Sequence, residues 1–126
     1  MFGETRTAAI LAKAVAEDAA AFDAFSALRA ATLGGAKAIG FDHLVGSLEP
    51  GKQADIACVD LSALETQPLH HVVSQLIYAT GRQQVSDVWI AGKPKLSARV
   101  LVDMDLDGII ANARQWRERI ATVRPA

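Results

Sequence analysis

The sequence predicts an α+β fold in which helices pack on a small β-sheet, and two patterns support this prediction. Apolar residues recur at helical spacing near both ends of the chain, at positions 8, 11, 12 and 15 and again from 106 onwards. Between these ends lie short runs of strand length that contain β-branched residues and are bounded by glycine and proline. The 126 residues are enough for one core. We therefore expect one domain over residues 1–126, with helices at both ends and a sheet between them.

The first predicted helix runs from about Gly3 to Ala16. Glu4 lies near its start and Lys13 near its end, where the helix dipole favours a negative and a positive charge respectively. These charges and the apolar spacing favour the same boundaries.

A second helix is predicted from about Ala24, with Asp23 as its N-cap. Gly34-Gly35 should weaken this helix, because glycine lowers helix propensity. A short turn over residues 36–39 follows, and Gly40 fits the C′ position, which often takes positive φ.

The segment Glu49-Pro50-Gly51-Lys52 predicts a type II turn. Pro50 fixes φ at the second position and Gly51 permits positive φ at the third. The apolar run 54–61 after the turn is predicted to form a strand, with Cys58 as a buried small side chain.

The remaining elements follow in order. A helix is predicted over about Val72 to Ala79, then a strand from Gln84 to Ala91, a turn at Gly92-Lys93-Pro94 and a returning strand from Leu96 to Val102. The last helix is predicted over about Leu106 to Val123, with Pro125 just beyond it. Its apolar stripe consists of Leu106, Ile109, Ile110, Ala113, Trp116, Ile120 and Val123.

Composition restricts the classes of partner and compartment. The net charge is −1 and no block of like charges occurs, so nucleic acid and anionic membrane are poor partners. No apolar run approaches the length of a membrane span. The lone Cys58 excludes an intrachain disulfide and is typical of a reducing compartment, so we expect a cytoplasmic location.

Asp103, Asp105 and Asp107 with Gly108 match the first half of a calcium-binding EF-hand loop. The twelfth position of that loop would be Arg114, where calcium requires a bidentate glutamate. The same acids also fit the N-cap and first turn of the last helix, and this interpretation is favoured.

His70-His71 is the one histidine pair. Adjacent residues point to opposite faces of a strand and lie about 100° apart on a helix, so this pair is poorly placed to chelate one metal. His43 is distant in sequence, and no zinc-ligand spacing is recognisable. A capping or loop role before a helix is favoured.

Signals for nucleophilic catalysis or phosphate binding are weak. None of the hydroxyl residues lies in a G-x-S-x-G elbow, and Gly34-Gly35 with Lys37 lacks the phosphate-loop spacing. The hydroxyl residues considered are Thr32, Ser47, Ser62 and Ser74. The residues therefore predict no catalytic, cofactor-binding or metal site.

The segment 46–55, which reads Gly-Ser-Leu-Glu-Pro-Gly-Lys-Gln-Ala-Asp, resembles the amidohydrolase superfamily. Four further segments, in the right order, resemble the branch that contains methylthioadenosine/S-adenosylhomocysteine deaminases and triazine chlorohydrolases: residues 1–9, 28–40, 74–79 and 85–93. One departure is His71-Val72, where the branch usually reads Asp-Pro. We expect this departure to alter a helix start.

The resemblance implies that the chain is the C-terminal fragment of such an enzyme. Residues 1–45 would be barrel-derived helices, residues 46–102 would belong to a β-sandwich domain with one helix, and residues 103–126 would be a C-terminal helix. The full-length family binds zinc or iron through motifs upstream of the position matching Met1, and Glu4 matches a structural position. The resemblance thus implies a carbon–nitrogen hydrolase of deaminase type that is inactive as this chain alone.

Two other functions remain open. The chain could be an autonomous oligomerisation or interaction module, or a small complete enzyme that uses Glu4, Asp55 or the histidines. A homodimer or higher homo-oligomer is expected in either of the first two cases. Family resemblance implies missing neighbours for the first helix and the sheet, which would leave Leu11, Val15 and a strand edge uncovered.

Overall fold

The structure is a computed structural model that describes residues 2–123. Its helices are α1 (Phe2–Ala16), α2 (Ala24–Arg29), α3 (Gly35–Ala38), α4 (Val72–Tyr78) and α5 (Leu106–Val123). Its strands are β1 (Ile56–Val59), β2 (Val85–Ile90), β3 (Lys93–Ser97) and β4 (Val100–Leu101). The α+β class is as predicted. Met1, the predicted helix-ending Pro125 and the side chain of Val123 lie outside what is described.

A small core forms where α1, α2 and α4 meet. Ala9 is fully buried, and Ala24, Ala27 and Ile77 are almost fully buried beside it. Alanine at these positions lets the helix backbones approach closely, and larger side chains then close the rim of the contact. The rim consists of Phe22, Leu28, Val73 and Tyr78.

Asp23 caps α2 as predicted, because its carboxylate accepts a hydrogen bond of 2.7 Å from the backbone N–H of Ser26. The helical backbone then continues through Gly34 and Gly35, where the prediction was a weakened helix. Both glycines have right-handed helical dihedral angles, and residues 30–34 widen into a π-helical turn between α2 and α3.

Gly46 explains why the loop after α3 can lie against this helix. A Cβ on Gly46 would come within 2.8 Å of the Ala36 Cβ and 2.9 Å of the Leu33 Cα, and its φ is +94°. Only glycine satisfies both the close approach and the left-handed backbone. Gly40, with φ of +75°, ends the helix in the predicted C′ conformation.

A polar turn over residues 80–84 joins α4 to β2, and its two end residues are buried. Thr80 is fully buried and donates its hydroxyl to the Gln75 carbonyl, 2.9 Å away. Gln84 is 3% exposed, accepts from the Gly81 N–H and donates to the Glu65 carboxylate at 2.9 Å. No buried side-chain nitrogen or oxygen lacks a hydrogen-bond partner among residues 2–123.

Arg6 connects α1 to this turn. Its guanidinium donates to the Ile77 carbonyl at 3.1 Å and to the Thr80 carbonyl at 2.7 Å. The carbonyls at the end of α4 have no partner within the helix, so a cation that binds them also complements the helix dipole.

The sheet is an antiparallel meander with strand order β1-β2-β3-β4. Ile56 of β1 lies opposite Trp89, Val88 opposite Leu96, and Leu96 opposite Leu101. None of the strand residues is fully buried among residues 2–123. The strand residues are half-buried or exposed, and those of β2 from Val85 to Trp89 are all half-buried.

Two details of the sheet correct the predictions. The first strand starts at Ile56, two residues later than predicted, and Cys58 on it is exposed where a buried side chain was expected. Within the described chain no element covers that position of β1, so strand propensity alone did not bury it.

Where the sequence predicts a two-strand hairpin, the structure has a meander of three strands, β2, β3 and β4. Its first turn is the residue pair Ala91-Gly92, both with positive φ, so Lys93 and Pro94 already belong to β3. A second turn at Ala98-Arg99, again with positive φ, divides the predicted single returning strand into β3 and β4.

The predicted type II turn is confirmed. Gly51 has a φ of +93°, and the Lys52 N–H donates to the Glu49 carbonyl at 3.1 Å. The Lys52 ammonium also donates to the Ser47 hydroxyl at 2.6 Å, which connects the end of the turn to the residues before it.

Gly51→Ala should lower the free energy of unfolding by about 1 kcal/mol or more, because a Cβ disfavours the left-handed backbone. Space is not the cause, since a Cβ at Gly51 would meet nothing within 4 Å. Denaturant unfolding of the two proteins measures the difference.

Gly3→Ala is the matched control for this change. Gly3 lies in α1, also with open space around it, so alanine there should leave stability unchanged or raise it by up to about 1 kcal/mol. Equal midpoints for Gly51→Ala and wild type would contradict the turn assignment.

Arg6→Ala should destabilise the chain by about 1–3 kcal/mol, because it leaves the Ile77 and Thr80 carbonyls without their charged donor. Arg29→Ala, on an exposed position of α2, is the control and should change stability by less than about 0.5 kcal/mol. Thermal unfolding followed by circular dichroism compares both. A similar melting temperature for the two variants would rule out this role for Arg6.

Candidate functional site

The histidines are not brought together as a ligand set. His71 is the N-cap of α4, and its Nδ1 accepts a hydrogen bond of 3.1 Å from the Ser74 N–H. His70 and His43 lie in a bend and a turn respectively. The predicted capping role of His71 is confirmed.

The acids before α5 also act as a cap. Asp105 accepts a hydrogen bond of 2.9 Å from the Gly108 N–H, and the Ile109 N–H donates to the Asp105 carbonyl. This geometry supports the N-cap interpretation over a calcium loop. Over residues 2–123, no group of three or more His, Cys, Asp or Glu side chains is placed to hold a metal ion.

Three of the candidate hydroxyl groups make hydrogen bonds with residues nearby in the sequence. Thr32 donates to the Leu28 carbonyl, Ser47 accepts from Lys52, and Ser62 donates to Asp60. None of these hydroxyls has a histidine base as its partner in these bonds.

Asp55, a residue of the small-enzyme hypothesis, positions a turn. Its carboxylate accepts a hydrogen bond of 2.6 Å from the Ala91 N–H, and the neighbouring Ala54 carbonyl accepts from Gly92 at 3.0 Å. Glu4 lines a pocket of about 260 Å³ between α1 and α2 in which the other lining residues are not titratable. The structure does not bring Glu4, Asp55 and the histidines into one site.

The most connected polar cluster outside the core links β1, β2 and the β3–β4 turn. Asp60 follows β1 and accepts from the Ser62 hydroxyl at 2.6 Å and from the Arg99 guanidinium at 2.9 Å. Arg99 also donates to the Gln83 carbonyl at 3.2 Å. Sequence reasoning missed this cluster, because Asp60 and Arg99 are 39 residues apart and no local motif marks them.

These hydrogen bonds lower the pKa of Asp60 from its ordinary 3.8 to about 2. The Ser62 hydroxyl contributes most, followed by the Ser62 backbone N–H and the Arg99 guanidinium. The Arg99 side chain is 51% exposed and that of Asp60 is 38% exposed, so solvent screens their ion pair, which contributes little to stability and mainly fixes geometry.

The last helix, α5, carries uncovered apolar side chains along its length. Every residue from 106 to 122 is exposed, and α5 makes no extensive contact with any other described element. We call the exposed apolar side chains of this helix the α5 stripe: Leu106, Ile109, Ile110, Ala113, Trp116 and Ile120. On α1, Ile10, Leu11 and Val15 are also exposed. A continuous apolar stripe on a folded chain is typical of a contact surface.

No helix among residues 2–123 has the length and apolar character needed to cross a membrane.

The chain belongs to the amidohydrolase family, whose sequence profile matches residues 1–95. It is 49% identical over 124 residues to a 5-methylthioadenosine/S-adenosylhomocysteine deaminase from Teredinibacter turnerae, covering 98% of this chain and 28% of that enzyme. The match lies in the C-terminal part of the enzyme. The chain thus spans little more than a quarter of the relatives it matches.

Two solved structures show the same fold. An adenosine deaminase from Xanthomonas campestris with bound zinc is 73% identical, with a TM-score of 0.94, and the match covers 97% of this chain and 28% of that one. An atrazine chlorohydrolase from Arthrobacter aurescens, complexed with zinc, is 29% identical, with a TM-score of 0.82 over 91% of this chain and 26% of that one. Both relationships match the branch that the sequence motifs indicate.

Ser62→Ala and Arg99→Gln should each raise the pKa of Asp60, with the larger effect from Ser62→Ala. The lowered pKa stabilises the fold above about pH 4, and this contribution is lost as the pH falls through about 2. Each variant should therefore lose less stability than wild type between about pH 4 and pH 2. Carboxyl chemical shifts of Asp60 measured by NMR report the pKa directly.

Lys95→Gln is the control for this titration, because it removes the same charge from an exposed position in β3. It should leave the Asp60 titration where wild type has it. If the NMR titration curve of Asp60 were unchanged in both Ser62→Ala and Arg99→Gln, the claim that these two residues lower its pKa would be wrong.

Proposed function

We propose that this chain is the C-terminal part of a hydrolase that deaminates aminopurine nucleosides, and that it is catalytically inactive alone. The observation that carries the proposal is the 73% identity to the Xanthomonas campestris adenosine deaminase over 97% of this chain. The deaminase from Teredinibacter turnerae supports the same reaction class. In such a reaction water replaces the ring amino group and ammonia leaves.

The donor set supports inactivity of the chain alone. The family's zinc or iron would activate the water when bound. Residues 2–123 do not fit such a metal, because no group of three or more His, Cys, Asp or Glu side chains among them is placed to hold one. The metal ligands and proton-transfer groups would therefore come from the part of the enzyme that this chain does not span.

The role proposed for this chain within the enzyme is structural. The helices α1, α2 and α4 form a preformed unit around the alanine core, and the meander adds strands to a larger sheet. A cytoplasmic location is part of the same proposal, supported by a single cysteine that makes no disulfide.

An autonomous interaction module is the second candidate function. The α5 stripe is the observation that favours it, since this surface is exposed and α5 makes no extensive contact with the other described elements. Such a module would keep the fold and lack catalytic activity.

The purified chain should contain far less than one zinc or iron per molecule and should not deaminate adenosine, methylthioadenosine or S-adenosylhomocysteine. Elemental analysis and the ultraviolet absorbance of the purine measure these outcomes, with the Xanthomonas campestris enzyme as the active reference. Stoichiometric metal, or turnover that a chelator abolishes, would overturn the proposed inactivity.

A chimaera tests the deaminase relationship separately. This chain replaces the matching 28% of the Xanthomonas campestris enzyme. Zinc content and adenosine deamination should persist, because the backbone is shared at a TM-score of 0.94. A folded chimaera that binds zinc but has lost deamination would contradict the assignment to this reaction class.

A further inference from the structure

We draw no further inference here: the strongest candidate, the open pocket of about 260 Å³ between α1 and α2 that Glu4, Ala8 and Phe22 help to line, belongs to a chain that spans 28% of the adenosine deaminase it matches, and nothing in the structure shows what covers it.

Discussion

The polar turn over residues 80–84 is the constraint on which the rest of the structure depends. It is the direct connection from α4 to β2, and its two end residues, Thr80 and Gln84, are buried, where an unpaired polar group would cost about 1–3 kcal/mol. Thr80 and Gln84 satisfy its groups locally, and Arg6 of α1 binds its carbonyl oxygen at Thr80. One turn thereby fixes how α1, α4 and the first strand pair lie relative to one another.

Two aspartates extend this control into the sheet. Asp55 accepts from the Ala91 N–H at the β2–β3 turn, and Asp87 accepts from the Ala98 N–H at the β3–β4 turn. The alanines at both turns have positive φ, a conformation that alanine disfavours. A carboxylate bonded to each strained N–H offsets that cost, which explains how tight turns form here without the Asn-Gly sequence that usually marks them.

Whether a cap or turn is stabilised by its own residues or by distant ones also explains which parts of the fold could be predicted from the sequence. Helix boundaries were predictable because caps act locally, as Asp23 and Gly40 show. The type II turn was predictable for the same reason, since Pro50 and Gly51 carry their own backbone preferences.

The turns at Ala91 and Ala98 depend on carboxylates 36 and 11 residues away, so no local pattern indicated them. The exposure of Cys58 depends on what covers a strand, which propensity does not report. For the site, the residues correctly favoured caps for His71 and Asp105, while the Asp60 cluster arises only from the tertiary fold.

The chain's surplus of apolar surface follows from the same architecture. Half of the residues are hydrophobic, yet among residues 2–123 only four alanines and Ile77 are buried apolar residues. The alanine core is compact because small side chains bring three helices together, and it therefore has no room for the larger apolar residues of α5 or the strands. These larger residues stay at the surface, and on α5 they form an apolar stripe along the helix.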